Sequence, residues 1–304
     1  PSRLVPATIQ FCSNKRGIRA WALYPMPKQK KLLFATATAT LAAVRPSMEG
    51  RPMRLWRQYG LILICLLLLP TEGMAAEMSI DHKRQYRSCI TLTYREPWKA
   101  FDAAEAWAAL NGGARHCAAL ALLEAKQFDR AAQRLEALAS ALPPEHSPSP
   151  GDVMAQAANV WLLGGRLELA LQAIDLALQY HPDNPSHLID RARISAEQGS
   201  HAAALADLDR AVVLLPDDDD AAAFRASALR QLNRPEEAMR AINRALAINP
   251  NNPSARLERG ILRYSQGDLT GARADWLRAA QDHGGTPAGD AAQARLQQME
   301  LNRN

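Results

Sequence analysis

Three histidines lie close together in the sequence and are the side chains best suited to bind a metal ion. They are His181, His187 and His201. A zinc site needs further cysteine, histidine or carboxylate ligands at a suitable spacing, and no such residue accompanies these histidines. His181 precedes a turn proline, and His187 opens the next helical segment. We therefore interpret all three as exposed turn histidines, and we predict no metal site.

Two further patterns suggest ligand chemistry and have simpler explanations. The acidic run Asp-Asp-Asp-Asp at 217–220 lacks the alternating ligands and the central glycine of a calcium loop. It lies where aspartate would cap a helix and interact favourably with the helix dipole. The glycine pairs at 112–113 and 164–165 follow no strand, so they are helix breaks and not phosphate-binding loops. The sequence thus predicts no catalytic residue, no enzyme activity and no cofactor.

A fixed spacing of 34 residues separates the prolines at 182, 216 and 250. Such a period indicates a repeat array. Before each proline the same small residues recur: alanine at 177, 211 and 245, alanine at 170, 204 and 238, and Gly165, Gly199 and Asn233. A later unit continues the pattern with Gly284 in place of proline, and a degenerate earlier unit ends at Pro143.

This pattern predicts two antiparallel helices in each unit. Small residues let two helices approach closely, and large apolar residues at helical spacing fill the space between them. Glycine or asparagine tolerates the left-handed backbone that ends the first helix, and proline ends the second. One such pair cannot bury its apolar face alone, whereas stacked pairs can. We therefore predict an all-α fold, an α-solenoid of stacked antiparallel helix pairs.

The repeats resemble tetratricopeptide repeats in their length, small residues and proline, most clearly from Met154 to Asp282. The resemblance implies a superhelix with N- and C-terminal capping helices. A 35-residue helical repeat that reads RNA is the alternative, but the step of 34 argues against it. We expect a capping segment at 77–111, a degenerate repeat at 112–145, a loop at 146–150, repeats at 151–184, 185–218, 219–252 and 253–286, and a capping helix at 287–304.

The positive net charge of the chain belongs to its N-terminal quarter. Residues 1–76 contain 11 Lys/Arg and 2 Asp/Glu, which gives 11 − 2 = +9. Residues 77–304 contain 25 Lys/Arg and 29 Asp/Glu, which gives 25 − 29 = −4. The repeat region is therefore acidic overall, and we predict no nucleic-acid partner.

Residues 53–76 have the three parts of a secretory signal peptide: basic residues, an apolar core at 61–69 and small residues before Glu77. The core is shorter than the ~20 residues that span a bilayer, so we expect no membrane span in the mature chain. Residues 1–52 are interpreted as a disordered upstream extension of the gene or as a targeting segment. These features predict a periplasmic or secreted protein, with a mitochondrial location as the alternative.

Two cysteines, Cys89 and Cys117, lie in the region expected to be exported. An even pair in an exported chain favours a disulfide, which would stabilise the fold by roughly 3–4 kcal/mol on the chain-entropy model. Two buried free thiols are the alternative.

The family resemblance also implies where a partner binds. In tetratricopeptide repeat proteins the first helices line a concave face that takes a peptide or helix of another protein. Mapped onto this chain, that face carries Gln156, Asn159, Asp190, Arg193, Ser227, Arg230, Glu258 and Tyr264. Family members that capture a C-terminal carboxylate use a Lys and Asn clamp. The array has no lysine after Lys126, so we do not expect that mode of binding.

We therefore predict an exported scaffold or adaptor that binds a peptide or helix of a protein partner, in the assembly of an envelope complex. One alternative is a mitochondrial adaptor, if the upstream segment is genuine. Another is an accessory subunit of an enzyme, with an active site on 77–111 and the array as a substrate arm. Those 35 residues are too few to bury a core of their own, which argues against it.

Overall fold

The structure is a computed structural model that describes residues 72–107 and 112–301, with side chains from residue 83 onward. The predictions for residues 1–52, and for 53–71 of the signal peptide, lie outside the described residues. Every regular element in the described ranges is an α-helix, which confirms the all-α prediction. The helices are α1 (Glu72–Thr93), α2 (Pro97–Glu105), α3 (Gly112–Glu124), α4 (Phe128–Ala141), α5 (Pro150–Leu163), α6 (Leu167–Tyr180), α7 (Pro185–Glu197), α8 (His201–Leu214), α9 (Asp219–Gln231), α10 (Pro235–Ile248), α11 (Pro253–Ser265), α12 (Leu269–Asp282) and α13 (Pro287–Leu301).

The described residues fall into two compact units. Residues 86–301 form one unit, which holds all of the repeats, and residues 72–85 at the start of α1 belong to the other. Within the described ranges, no helix combines the length and the apolar character that crossing a bilayer requires.

The helices of the larger unit pack as consecutive pairs. We call α3, α5, α7, α9 and α11 the first helices and α4, α6, α8, α10 and α12 the second helices of their pairs. Each first helix packs against its own second helix and against the second helix of the preceding pair. From α5 onward, each first helix also contacts the next first helix, and α11 contacts α13 in the same way. This is the stacked α-solenoid that the repeat pattern predicts.

The second helices use the same residue types at the same positions. Their fourth residue is a fully buried alanine in every pair: Ala131, Ala170, Ala204, Ala238 and Ala272. Four residues later stands a large buried side chain: Leu135, Ile174, Leu208, Ile242 and Trp276. Alanine lets the paired backbones approach, and the large side chain one turn later fills the space beside it.

The turn inside each pair has a left-handed residue two positions before the second helix. Its φ is 72° at Gly165, 78° at Gly199, 56° at Asn233 and 85° at Gly267. This confirms the prediction for the glycines and the asparagine, which tolerate a positive φ better than other residues. Lys126 occupies the same position of the α3–α4 pair with a φ of 62°, which its residue type did not indicate.

The acidic run at 217–220 organises the turn between two pairs. The Asp218 carboxylate caps α9 by accepting a hydrogen bond from the backbone N–H of Ala221 at 2.6 Å. The Asn252 side-chain amide, which belongs to the next turn, donates to Asp219 at 2.7 Å and to Asp220 at 2.8 Å. These aspartates therefore cap one helix and fix the start of the following pair, as the capping interpretation predicts.

The segment before the first predicted repeat forms two helices, which we call the α1–α2 pair, and the Cys89 sulfur of α1 lies 3.6 Å from the Ala100 carbonyl oxygen of α2. The fourth residue of α2 is the buried Ala100, in the position of the alanine in the second helices, and Ala104 stands four residues later. At the other end, α13 begins at Pro287, 34 residues after α11 begins at Pro253. It thus takes the place of a further first helix, with exposed glutamines on the side away from the stack.

Candidate interaction face

The eight side chains predicted to bind a partner lie on the first helices α5, α7, α9 and α11. We call the surface that they form the first-helix face. Three stand seven residues before the end of their helix: Gln156, Asp190 and Glu258. Three stand four residues before it: Asn159, Arg193 and Ser227. The last two, Arg230 and Tyr264, stand one residue before it. The spacing of three places each set on one stripe of its helix.

Asn159, Asp190 and Arg193 form one hydrogen-bonded group across α5 and α7. The Asn159 amide nitrogen donates to Asp190 Oδ2 at 2.8 Å. A guanidinium nitrogen of Arg193 donates to Asp190 Oδ1 at 3.2 Å and to Asn159 Oδ1 at 3.3 Å. The Asp190 side chain is only 8% exposed. Burial raises the pKa of Asp190, and the nearby Arg193 charge and the Asn159 hydrogen bond oppose that rise.

Arg230 and Glu258 form the corresponding contact between α9 and α11. Arg230 Nε donates to Glu258 Oε2 at 2.5 Å, and a terminal guanidinium nitrogen donates to Oε1 at 3.3 Å. The two donors and the two carboxylate oxygens give the fork geometry that favours arginine. The side chains are 20% and 9% exposed, so the pair lies at the surface without being fully solvated.

Gln156 joins α5 to the helices before it. Its side-chain oxygen lies 2.6 Å from His116 Nε2 on α3, and His116 Nδ1 lies 2.9 Å from the Tyr86 hydroxyl on α1. Burial lowers the pKa of His116, and it raises the pKa of Tyr86 to about 12. Both side chains are therefore neutral at physiological pH. A neutral tyrosine, imidazole and amide thus link α1, α3 and α5.

The two remaining predicted residues do not join these groups. The Ser227 hydroxyl is buried and has no hydrogen-bond partner within the part of the chain that the structure describes. The Tyr264 ring packs on Trp276 of α12, with ring centroids 5.6 Å apart, and the residue is 38% exposed. Most of the predicted face is therefore ordered by contacts between neighbouring pairs, whereas Tyr264 is held within its own pair.

Arginines on another side of the first helices hold the second helices in place. They stand six residues before the helix end, and each binds aspartate. Arg191 binds Asp207 and Asp175, Arg225 binds Asp209, and Arg259 binds Asp275. These arginines therefore bind aspartates within the stack. The first-helix face is the other polar surface that repeats from one first helix to the next.

Cys89 and Cys117 stand on α1 and α3 with their sulfur atoms at bonding distance. Cys89 lies four residues before the end of its helix and Cys117 lies seven before, which are the positions of Asn159 and Asp190. The two cysteines thus occupy, on α1 and α3, the helix positions that Asn159 and Asp190 occupy on α5 and α7.

One prediction about the histidines is wrong. His187 is fully buried, whereas it was expected to be exposed in a turn. Its Nε2 lies 3.4 Å from Asp152 Oδ1 at the start of α5, because the first turn of α7 packs against the preceding pair. The hydrogen bond with His187 is the main cause that lowers the pKa of Asp152 to about 2. His181 is partly buried and lies 2.8 Å from the Ser149 hydroxyl.

The described residues contain no group of three or more His, Cys, Asp or Glu side chains arranged to hold a metal ion. His181 and His187 lie at the turn between the α5–α6 and α7–α8 pairs, whereas His201 begins α8 at the turn inside its own pair. The Asp152 carboxylate also accepts a hydrogen bond from the Ser149 backbone, and the Ser149 hydroxyl accepts one from the Asp152 backbone at 3.1 Å. This reciprocal cap, together with His187, fixes the start of α5.

The repeat pattern and the family resemblance did not identify two further residues of this surface. Phe224 stands seven residues before the end of α9, where Asp190 and Glu258 stand in their helices, and the step of 34 would have identified it. His116 could not be found in this way, because it stands eight residues before the end of α3, and none of the predicted residues occupies that position in its helix.

Family models agree with this architecture. Two models described as tetratricopeptide repeat match the chain, one at residues 165–229 and 224–299 and the other at residues 118–185. No curated protein matches the sequence at a significant level.

Solved structures share the fold at low sequence identity. A thermophilic TPR protein of Thermus thermophilus is 17% identical, with 63% of this chain and 100% of that chain covered and a TM-score of 0.51. The C-terminal part of a TPR protein of Cytophaga hutchinsonii is 13% identical, with coverage of 64% and 78% and a TM-score of 0.51. Human IFIT1, solved as a dimer with PPP-AAAA, is 15% identical, with coverage of 73% and 54% and a TM-score of 0.55.

The two family models together cover residues 118–299, which is more than half of the 304 residues. The helix pairs and the left-handed turns of the structure extend over the same range. Such repeats are scaffolds for protein–protein interaction, and this chain belongs to the tetratricopeptide repeat family.

Proposed function

We propose that the protein is an exported scaffold that binds a peptide or a helix of a protein partner on its first-helix face, in the assembly of an envelope complex. The observation that carries the proposal is the row of polar side chains held in place across successive first helices. Their fixed positions reduce the conformational entropy that is lost when a partner binds.

The chemistry of the face suits a peptide backbone better than a strongly charged ligand. The Arg193 charge is balanced by Asp190, and the Arg230 charge is balanced by Glu258. The side chains of Arg193 and Arg230 are 19% and 20% exposed. Guanidinium has five N–H donors, so donors remain for the carbonyl groups of a bound segment.

Export is proposed from the signal-like segment at 53–76 and from the cysteine pair, which suits an oxidising compartment. We propose a binding role without catalysis and without a cofactor. N-terminal sequencing of the mature protein tests whether the protein is exported. A start near Glu77 supports export, whereas a start near residues 45–50 contradicts it and favours the mitochondrial alternative.

Site-specific photo-crosslinking tests the binding face. A photoreactive phenylalanine analogue replaces Tyr264 on the first-helix face or, as the matched control, Asn243 on the exposed side of α10. In cells that express the protein, we expect an adduct of one defined mass from position 264 and none from position 243. Equal labelling from both positions, or adducts from position 243 alone, contradicts the proposed face.

A further inference from the structure

Small side chains form the buried part of the contact between the α1–α2 pair and α3, with Tyr86, Ile90, Phe101 and Trp107 partly buried around them. Its buried cluster contains Cys89, Ala104, Cys117 and Ala118. Ala104 stands where the other second helices have leucine, isoleucine or tryptophan. Alanine buries less apolar surface than leucine, isoleucine or tryptophan, so this position of α2 contributes less to the hydrophobic effect than the same position of the other second helices.

The second helix of this pair is also short. Helix α2 has 9 residues, whereas α4, α6, α8, α10 and α12 have 14 each. Polar contacts supply part of the attachment: Tyr86 binds His116, and Arg134 of α4 binds Glu105 and lies over the Phe101 ring at 5.2 Å. The Arg134–Glu105 pair is exposed and contributes little.

We propose that the Cys89–Cys117 disulfide is a redox-sensitive link that keeps the α1–α2 pair docked on α3. It joins the two helices where a hydrogen bond joins α5 and α7, at a junction whose second helix is short and has alanine in place of a large side chain. The proposal rests on the oxidised cysteine pair of the proposed function, and it adds that docking depends on this bond.

A dithiol reductant opens the link. The Sγ–Sγ bond takes up two electrons and two protons and becomes two thiols, while the dithiol is oxidised to a cyclic disulfide. Both cysteines are buried, at 5% and 0% exposure, so the reductant reaches them when the short α2 helix opens locally. The freed pair then separates from α3, which exposes His116 and Ala118 and lengthens the open row of first helices.

Hydrogen exchange with mass spectrometry on the full chain tests the link, in its oxidised form and after dithiothreitol treatment. A peptide map that shows both cysteines as thiols verifies the reduction. We expect amide exchange in residues 97–105 to rise at least about tenfold on reduction, with no change in α7–α10. Equal protection of residues 97–105 in both forms overturns the proposal, as does a peptide map with free Cys89 and Cys117 before reduction.

The double variant Cys89→Ser, Cys117→Ser provides the second arm. It should exchange like the reduced protein and should not respond to dithiothreitol, and peptides from α7–α10 report whether it is folded. A variant that keeps the slow exchange of the oxidised protein overturns the proposal. The exchange measurement needs neither a partner nor export. It can therefore contradict the redox-sensitive link while peptide binding on the first-helix face is retained. Equally, peptide binding can fail while the exchange data support the link.

Discussion

The Asn159 amide and the Asp190 carboxylate, 31 residues apart in sequence, meet at 2.8 Å between two consecutive first helices. Cys89 and Cys117 hold the same two helix positions on α1 and α3. One geometric relationship between stacked helices therefore accommodates either a hydrogen bond or two cysteines whose sulfur atoms lie at bonding distance.

Replacing Asn159 with alanine should destabilise the protein by about 1–3 kcal/mol, because the buried Asp190 loses a hydrogen-bond donor. Urea denaturation followed by circular dichroism measures the effect. Asn243→Ala, at an exposed position of α10, is the control and should change the free energy of unfolding by less than about 0.5 kcal/mol. Equal effects of the two changes would show that the contact with Asp190 contributes nothing to stability.

Replacing Gly260 with alanine should disrupt the α11–α12 pair. A Cβ at this position would lie 2.3 Å from Trp276 Nε1 and 2.5 Å from its Cδ1. The tryptophan must move, and it would lose its hydrogen bond to the Leu257 carbonyl. We expect a loss of about 2–3 kcal/mol and a shift of the tryptophan fluorescence.

Gly165→Ala is the comparison for that change, because nothing lies within 4 Å of its Cβ position. Its cost comes only from the backbone, whose φ is 72°. We expect about 1 kcal/mol and an unchanged fluorescence spectrum. If Gly260→Ala costs no more than Gly165→Ala, the close contact with Trp276 is not a constraint.

Replacing Ser227 with alanine should leave the protein as stable or make it more stable by up to about 1 kcal/mol. The hydroxyl is buried without a partner among the described residues, and removing it removes a desolvation cost. Alanine also has the higher helix propensity. Thermal denaturation measures the change. A clear loss of stability would show that the hydroxyl makes a hydrogen bond after all.

Acid should weaken the junction between the second and third predicted repeats through Asp152. Its pKa is lowered from 3.8 to about 2, chiefly by the hydrogen bond with His187. A lowered carboxyl pKa stabilises the fold above the unfolded value, and this contribution is lost as the pH falls from about 4 towards 2. The full shift corresponds to roughly 2 kcal/mol, and solvent screening of the partly exposed carboxylate reduces it to about 1 kcal/mol.

Urea denaturation at pH 5, 4, 3 and 2 tests this dependence against the variant Asp152→Asn. The variant should be less stable at pH 5, and the difference from the original protein should disappear by about pH 2. A difference that stays constant over this range would exclude the titration of Asp152 as its cause.

Much of the architecture could be predicted from the chain. The step of 34 residues, the alanines at 170, 204 and 238, and the glycines at 165 and 199 each reflect a local requirement for close approach or for a left-handed turn. Lys126 and Ala104 could not be recognised in this way. Lysine is not a typical left-handed residue, and an alanine in place of a large side chain carries no signal of its own.

The candidate face was predicted in part. The positions of Asn159, Asp190, Arg193 and Glu258 follow from the repeat register and from the family resemblance. Their pairing does not, because a helical period defines which stripe a residue occupies and not which neighbouring helix it contacts. The burial of His187 shows the same limit, since it arises from the packing of one pair against the next.

The sequence by itself determined the helices, their turns and the order of the pairs, since these depend on residues close to one another along the chain. The tertiary structure alone decided which polar groups bind one another, which are buried and where the α1–α2 pair sits. Those outcomes depend on contacts between residues about 30 positions apart in the sequence, such as the contact of 2.9 Å between Tyr86 and His116. No local sequence pattern shows which of such distant residues lie close together in the fold.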